Sequence, residues 1–168
     1  SNRAHGTGTR LQALNVSFTR LITRFTDLRA PGTLTPFEKK PSDPDEVGGF
    51  KCMGSFNVAD VDFLVLESLG GHVAGQVFFF SPGFGLLFCG DYLIDITSLS
   101  QRDKETLSIP KFLMTSTNSD SKVFSREMKM LADLMTKTHQ RLATDGRKAW
   151  VFSGHGDIYS VDQMNWGK

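Results

Sequence analysis

This sequence predicts an α/β domain. Short runs rich in Val, Phe and Leu, each bounded by Gly or Pro, recur between Phe63 and Ser153, which is the pattern of buried strands rather than of a helix. Two longer stretches carry apolar residues at spacings of three and four, the mark of amphipathic helices. With 168 residues, 39% of them apolar and 22% charged, the chain suits one globular domain with a real core.

The first helix is expected from Leu11 to Leu28, where Leu11, Leu14, Phe18, Leu21, Ile22, Phe25 and Leu28 form the stripe and Arg20, Arg24 and Asp27 fall between them. Residues 1–10 before it are expected to be disordered or tag-derived, and His5 lies there. Pro31-Gly32 stops the helix. Pro36, Pro41 and Pro44, mixed with Lys39, Lys40, Asp43, Asp45 and Glu46, then make a polar loop up to Gly48-Gly49. It reads as a surface excursion, with a lid over a site as the other possibility.

The strand block follows. Phe63–Leu66 stops at Gly70-Gly71-His72, Gln76–Phe80 comes next, and the four-residue turn Pro82-Gly83-Phe84-Gly85 leads to Leu86–Cys89 as a hairpin. Gly70, Gly71 and Gly75 around His72 mark backbone that needs positive φ or passes close to something. Cys89 is expected to share a strand face with Asp91, as a small buried hydrophobe.

Residues 92–108 are polar and without clear periodicity, up to Ile109-Pro110. Ser119, Asp120 and Ser121 offer N-caps for a second helix on which Phe124, Met128, Leu131, Leu134, Met135 and Leu142 recur at helical spacing. It should end at Asp145-Gly146, and Lys137 and Arg141 suit the negative end of its dipole. Met128, Met130 and Met135 read as core packing, and His139 as a rim residue. A last strand, Ala149–Ser153, runs into Gly154-His155-Gly156-Asp157, where Asp157 begins a turn, and a short tail closes the chain.

A net charge of +1 gives no pull toward nucleic acid or an anionic membrane. There is no uninterrupted apolar stretch of membrane-spanning length. Cys52 and Cys89 are too few for a disulfide framework and read as reduced thiols, with a cytoplasmic home as the default. No Gly-x-Ser-x-Gly elbow, Gly-x-Gly-x-x-Gly turn or P-loop occurs.

Three strand ends thus present His72, Asp91 and His155. A His between glycines at a strand end is well placed to be a ligand, against the plainer reading of a turn His facing solvent. Two imidazoles and one carboxylate can hold a single non-haem iron, or a zinc with water.

Read in order, GHVAG, FCGD and SGHGD resemble the metallo-β-lactamase superfamily, in which a Gly-His-x-x-Gly turn, a later Gly-Asp and a final Gly-His-Gly each supply a metal ligand. The resemblance spans roughly Ser55 to Asp157. It implies a metallo-β-lactamase-like αββα sandwich, of which this chain, a single partial domain over residues 1–168, would form the second half plus a flanking helix. By this resemblance His72, Asp91 and His155 are the metal ligands, Asp91 bridging where two metals are close. Zinc is the first expectation, with iron or manganese as alternatives.

One departure stands out. The family's His-x-His-x-Asp-His motif is absent, since the four histidines are His5, His72, His139 and His155. The function the resemblance implies is that of a parent metal-dependent hydrolase of an ester, thioester, lactam or phosphoester, with a small-molecule substrate. The alternative is a non-catalytic binding or assembly module that keeps the fold without the metal. Half a sandwich leaves an apolar sheet face uncovered, so the chain is expected to form a homo-dimer or to pair with the missing half.

Overall fold

A computed structural model of the chain describes residues 37–94, 100–102, 118–164 and 166, apart from the side chains of Ile94 and His155. The expected first helix and most of the polar stretch after Asp91 lie outside the described residues. The strands are β1 (Glu46–Val47), β2 (Phe50–Val58), β3 (Val61–Glu67), β4 (Val77–Ser81), β5 (Leu86–Ile94), β6 (Trp150–His155) and β7 (Ile158–Ser160), with helix α1 (Ser121–Ala143) between β5 and β6. A short 3-10 turn, Val161–Gln163, follows β7. No helix among the described residues is long and apolar enough to cross a membrane.

The strands form one seven-stranded sheet in the order β1-β2-β3-β4-β5-β6-β7. Neighbours are antiparallel except β5 and β6, which run parallel across the helical crossover. A parallel pair needs such a connection, because the chain must return to the same end of the sheet before pairing again. The α/β class is as the sequence implies.

The sequence reading omitted three strands, of which β1 falls within the expected polar loop. Along the first half of β2, buried Phe50 and Cys52 alternate with exposed Lys51 and Met53. Lys51, Gly54, Ser55 and Asn57 nevertheless interrupt any apolar run. Val58 pairs with Val61 around a two-residue turn, in which Ala59 takes a φ of 51°. Such hairpin turns usually carry Asn or Gly there, so nothing in Ala-Asp announces one. The last is β7, which lies in the expected tail and pairs with β6, Trp150 opposite Ser160.

Helix α1 begins where expected. Asp120 is its N-cap, accepting from the Lys122 and Val123 N–H groups at 2.9 and 3.0 Å, and these bonds hold its carboxyl below the usual carboxylate range. The stripe Leu131, Met135 and Leu142 is buried against Phe50, Leu66, Phe78, Phe80, Leu87 and Val151, with Met128 and Met130 partly buried beside it. Each such side chain, fully buried, contributes about 1.5–3 kcal/mol.

The opposite face of the sheet is aromatic. Phe56 stacks on Phe63 at 5.3 Å, Phe63 meets Phe88 at 5.8 Å, and Phe88 stacks on Phe152 at 4.2 Å. Phe37 joins this row through Phe56 and Phe79, each at 5.9 Å. Much of it faces outward, with Phe88 36% and Phe37 48% exposed.

Candidate metal centre

Sheet topology decides where the three candidate ligands fall. β3 is antiparallel to β4, β4 to β5, and β5 is parallel to β6, so β3, β5 and β6 all run the same way. Their C-terminal ends share one edge of the sheet. His72 lies in the turn after β3, Asp91 is near the end of β5, and His155 is the last residue of β6. Ligand sites of open α/β sheets form at such edges.

The His72 turn is tied down on its α1 side. Gly70 and Gly75 have φ of 86° and 81°, as their spacing around His72 suggested. Gly71 is needed for another reason: a Cβ there would stand 2.4 Å from Phe124 N and 2.6 Å from Phe124 Cα. The turn thus rests directly on the backbone of the first turn of α1. Two main-chain bonds close the contact, Ser119 N–H to His72 O at 2.8 Å and Asp120 N–H to Gly71 O at 3.0 Å.

Below this contact lies Glu127, wholly buried. Its Oε1 accepts from Ser68 Oγ at 2.8 Å and Leu69 N–H at 2.5 Å, and its Oε2 from Gly71 N–H at 2.9 Å and Tyr92 Oη at 2.7 Å. Burial, with the Glu127 carboxylate alongside, raises the Tyr92 phenol above its ordinary value. Neither Glu127 nor Tyr92 figured among the expected site residues. The signal for Glu127 was its place in the apolar stripe of α1, three residues after Phe124 and four before Leu131.

The His72 ring itself is half-buried, its centroid 6.2 Å from that of Tyr92 and 6.5 Å from that of Phe124. Its Nδ1 lies 3.0 Å from Asn118 Oδ1. With Nδ1–H donating to that acceptor, Nε2 carries the lone pair a metal would need.

Asp91 is presented differently. The β5–β6 register shifts between Phe88 and Gly90 and again before Ile94, and Gly90 takes a φ of 52°. The irregularity turns Cys89 and Tyr92 into the core and leaves Asp91 exposed. This corrects the expectation that Cys89 and Asp91 share a face, which holds only for an unbroken strand. Cys89 is buried as expected, and burial pushes its thiol up to about 12. Its carbonyl accepts from Gln76 Nε2 at 3.0 Å, which links the His72 turn to the irregularity.

Asp91 also lies against the end of β6, since a Cβ on Gly154 would stand 2.6 Å from Asp91 Oδ1. The backbone of His155 follows at once, paired with Ile94. The structure therefore brings Asp91 to the residue before His155. It also brings the His72 ring to Tyr92, the residue after Asp91.

The remaining candidates have ordinary places. His139 is a rim residue whose Nδ1 accepts from Ala149 N–H at 3.3 Å. Ser153 Oγ donates to Asp157 O at 3.2 Å across the turn after β6. Residues 37–49 are laid along β2: Ser55 N–H donates to Glu38 O and Cys52 N–H to Asp45 O, and Lys39 pairs with Asp45. An open depression of about 530 Å³ beside His155 is lined by Gly156, Asp157, Ile158, Tyr159 and Gln163.

Among the described residues no three His, Cys, Asp or Glu side chains group closely enough to hold a metal, the side chain of His155 not being among them. The chemistry of the donors nonetheless suits zinc: an imidazole oriented through its other nitrogen, and an exposed carboxylate at the same sheet edge.

No family model matches the sequence. No curated protein matches it. Among solved structures the chain is similar to the B3 metallo-β-lactamase BLEG-1, at 19% identity and a TM-score of 0.34, over 65% of this chain and 41% of that one.

Proposed function

We propose that this chain is part of a metal-dependent hydrolase of the metallo-β-lactamase superfamily, acting on an ester, thioester, lactam or phosphoester, with His72, Asp91 and His155 as metal ligands. The observation that carries it is the three Gly-flanked motifs in family order, each at the C-terminal end of a strand on one sheet edge. Zinc, when bound, supplies a Lewis acid and an acidified water. The chain's own part is to hold the donors. Asn118 selects the His72 tautomer, and the β5 irregularity sets Asp91 beside the end of β6.

The test is the metal content of the purified chain by elemental mass spectrometry, without chelator, beside His72→Ala and Asp91→Ala. Near-stoichiometric zinc, iron or manganese, lost in both variants, is expected. Metal-free wild-type chain that also takes up no added zinc would overturn the assignment.

The aromatic face favours a second reading, a non-catalytic module in which two copies pair through Phe88, Trp150 and their neighbours. Size-exclusion chromatography tests it. A monomer at high concentration would count against it.

A further inference from the structure

We infer that Glu127 is a positioning residue for the metal ligand His72, fixing through its buried carboxylate the turn on which that imidazole is carried; this rests on the assignment of His72 as a ligand. A carboxylate with no exposure is costly unless its lone pairs are occupied. Here they are occupied by Ser68 Oγ, Leu69 N–H, Gly71 N–H and Tyr92 Oη. Three of these belong to the segment that leads into His72. The fourth belongs to the residue after Asp91, whose ring borders the imidazole. One side chain on α1 therefore ties together the approach to one ligand and the neighbour of another.

Core stability alone would not call for this arrangement. An apolar residue in the stripe would cover the sheet, and a turn at the surface could leave its amides to water. Sinking a carboxylate there instead draws the Leu69 and Gly71 amides inward. Gly71 is thereby held against Phe124, where no side chain fits. His72 is the next residue, and its carbonyl is bound twice, by Ser119 N–H at 2.8 Å and Ser119 Oγ at 2.9 Å. Its backbone has little freedom left, so the ring direction follows from the turn and from Asn118.

Glu127→Gln is the informative variant. It keeps the shape, but all four partners are donors, and the amide nitrogen cannot accept. One oxygen's worth of the arrangement must break. The measurements, on the full chain at one pH, are zinc affinity, the ring 15N shifts of His72 in the metal-free protein, and the urea midpoint. Leu131→Ala serves as a control that destabilises the core without touching the turn.

Glu127→Gln is expected to weaken zinc binding about 10- to 100-fold, the usual effect of removing support behind a ligand, and to mix the His72 tautomers. Leu131→Ala is expected to lower the urea midpoint with affinity and ring shifts unchanged. Should Glu127→Gln fail to fold, Tyr92→Phe, which removes one donor and leaves the three turn contacts, is expected to show the same changes in smaller measure. A folded Glu127→Gln chain, or Tyr92→Phe in its place, with wild-type His72 ring shifts and wild-type zinc affinity would overturn the inference. Wild-type chain without zinc binding, whose His72 shifts still respond to the variant, would remove the metal assignment and leave the positioning role standing.

Discussion

The two sides of the candidate site are held in different ways. On the His72 side, hydrogen bonds accepted by Glu127 and Asn118 and donated by Ser119 and Asp120 fix turn and ring. On the Asp91 side, an exposed carboxylate is set out from the sheet by a shift of strand register at Gly90, with Gly154 alongside. The first side spends buried polar groups on rigidity. The second uses an interruption of the ladder to aim a side chain away from the core. The candidate site thus joins a turn fixed by hydrogen bonds to a carboxylate set out by the strand itself.

That contrast can be broken most severely at Gly71. A methyl there meets helix backbone, which cannot swing aside as a side chain can. Gly71→Ala should cost about 1–3 kcal/mol or somewhat more, read as a lower urea midpoint, with weaker zinc binding by the fraction that stays folded. An unchanged midpoint would mean that the turn is not pressed on α1.

Alkaline pH sharpens the comparison from the same side. The Cys89 thiol is raised from 9.0 to about 12, and the Tyr92 phenol is raised as well. Both therefore stay protonated in the fold at pH values where the unfolded chain has lost these protons. Their contribution is complete below about pH 9 and is lost as pH rises toward the folded values, at up to about 1.4 kcal/mol per pH unit for each group. Urea midpoints measured from pH 8 upward should fall. Tyr92→Phe should fall less steeply.

Asp91→Asn should change stability least, within about 0.5 kcal/mol, as for other exposed positions, while zinc binding is lost. A large fall in the midpoint would show that Asp91 is structural, and the two sides would no longer differ in kind.

Much of this architecture was legible in the sequence because its signals are local. β3 to β6 announce themselves as apolar runs between Gly and Pro, and α1 by its stripe and the Asp120 cap. Three features were hidden for identifiable reasons. β2 is broken by Lys51, Gly54, Ser55 and Asn57 and turns through Ala59-Asp60 without a glycine. The shift at Gly90 depends on how β5 meets β6, so period two alone placed Asp91 on the face of Cys89. Glu127 finds its partners 35 to 59 residues away, and only its charge within an apolar stripe marks it.

The parallel pairing of β5 with β6 also bears on how the chain reaches its native state. Contacts from β2 to β5 are between neighbours in sequence, whereas Leu86 must find Trp150 across the whole crossover. Closing so long a loop costs entropy before the contact rewards it, and such pairings slow folding. His155 stands at the end of that strand. A metal requiring both Asp91 and His155 would bind only after the slowest contact in the sheet had formed, so zinc uptake during refolding would time the completion of the sheet.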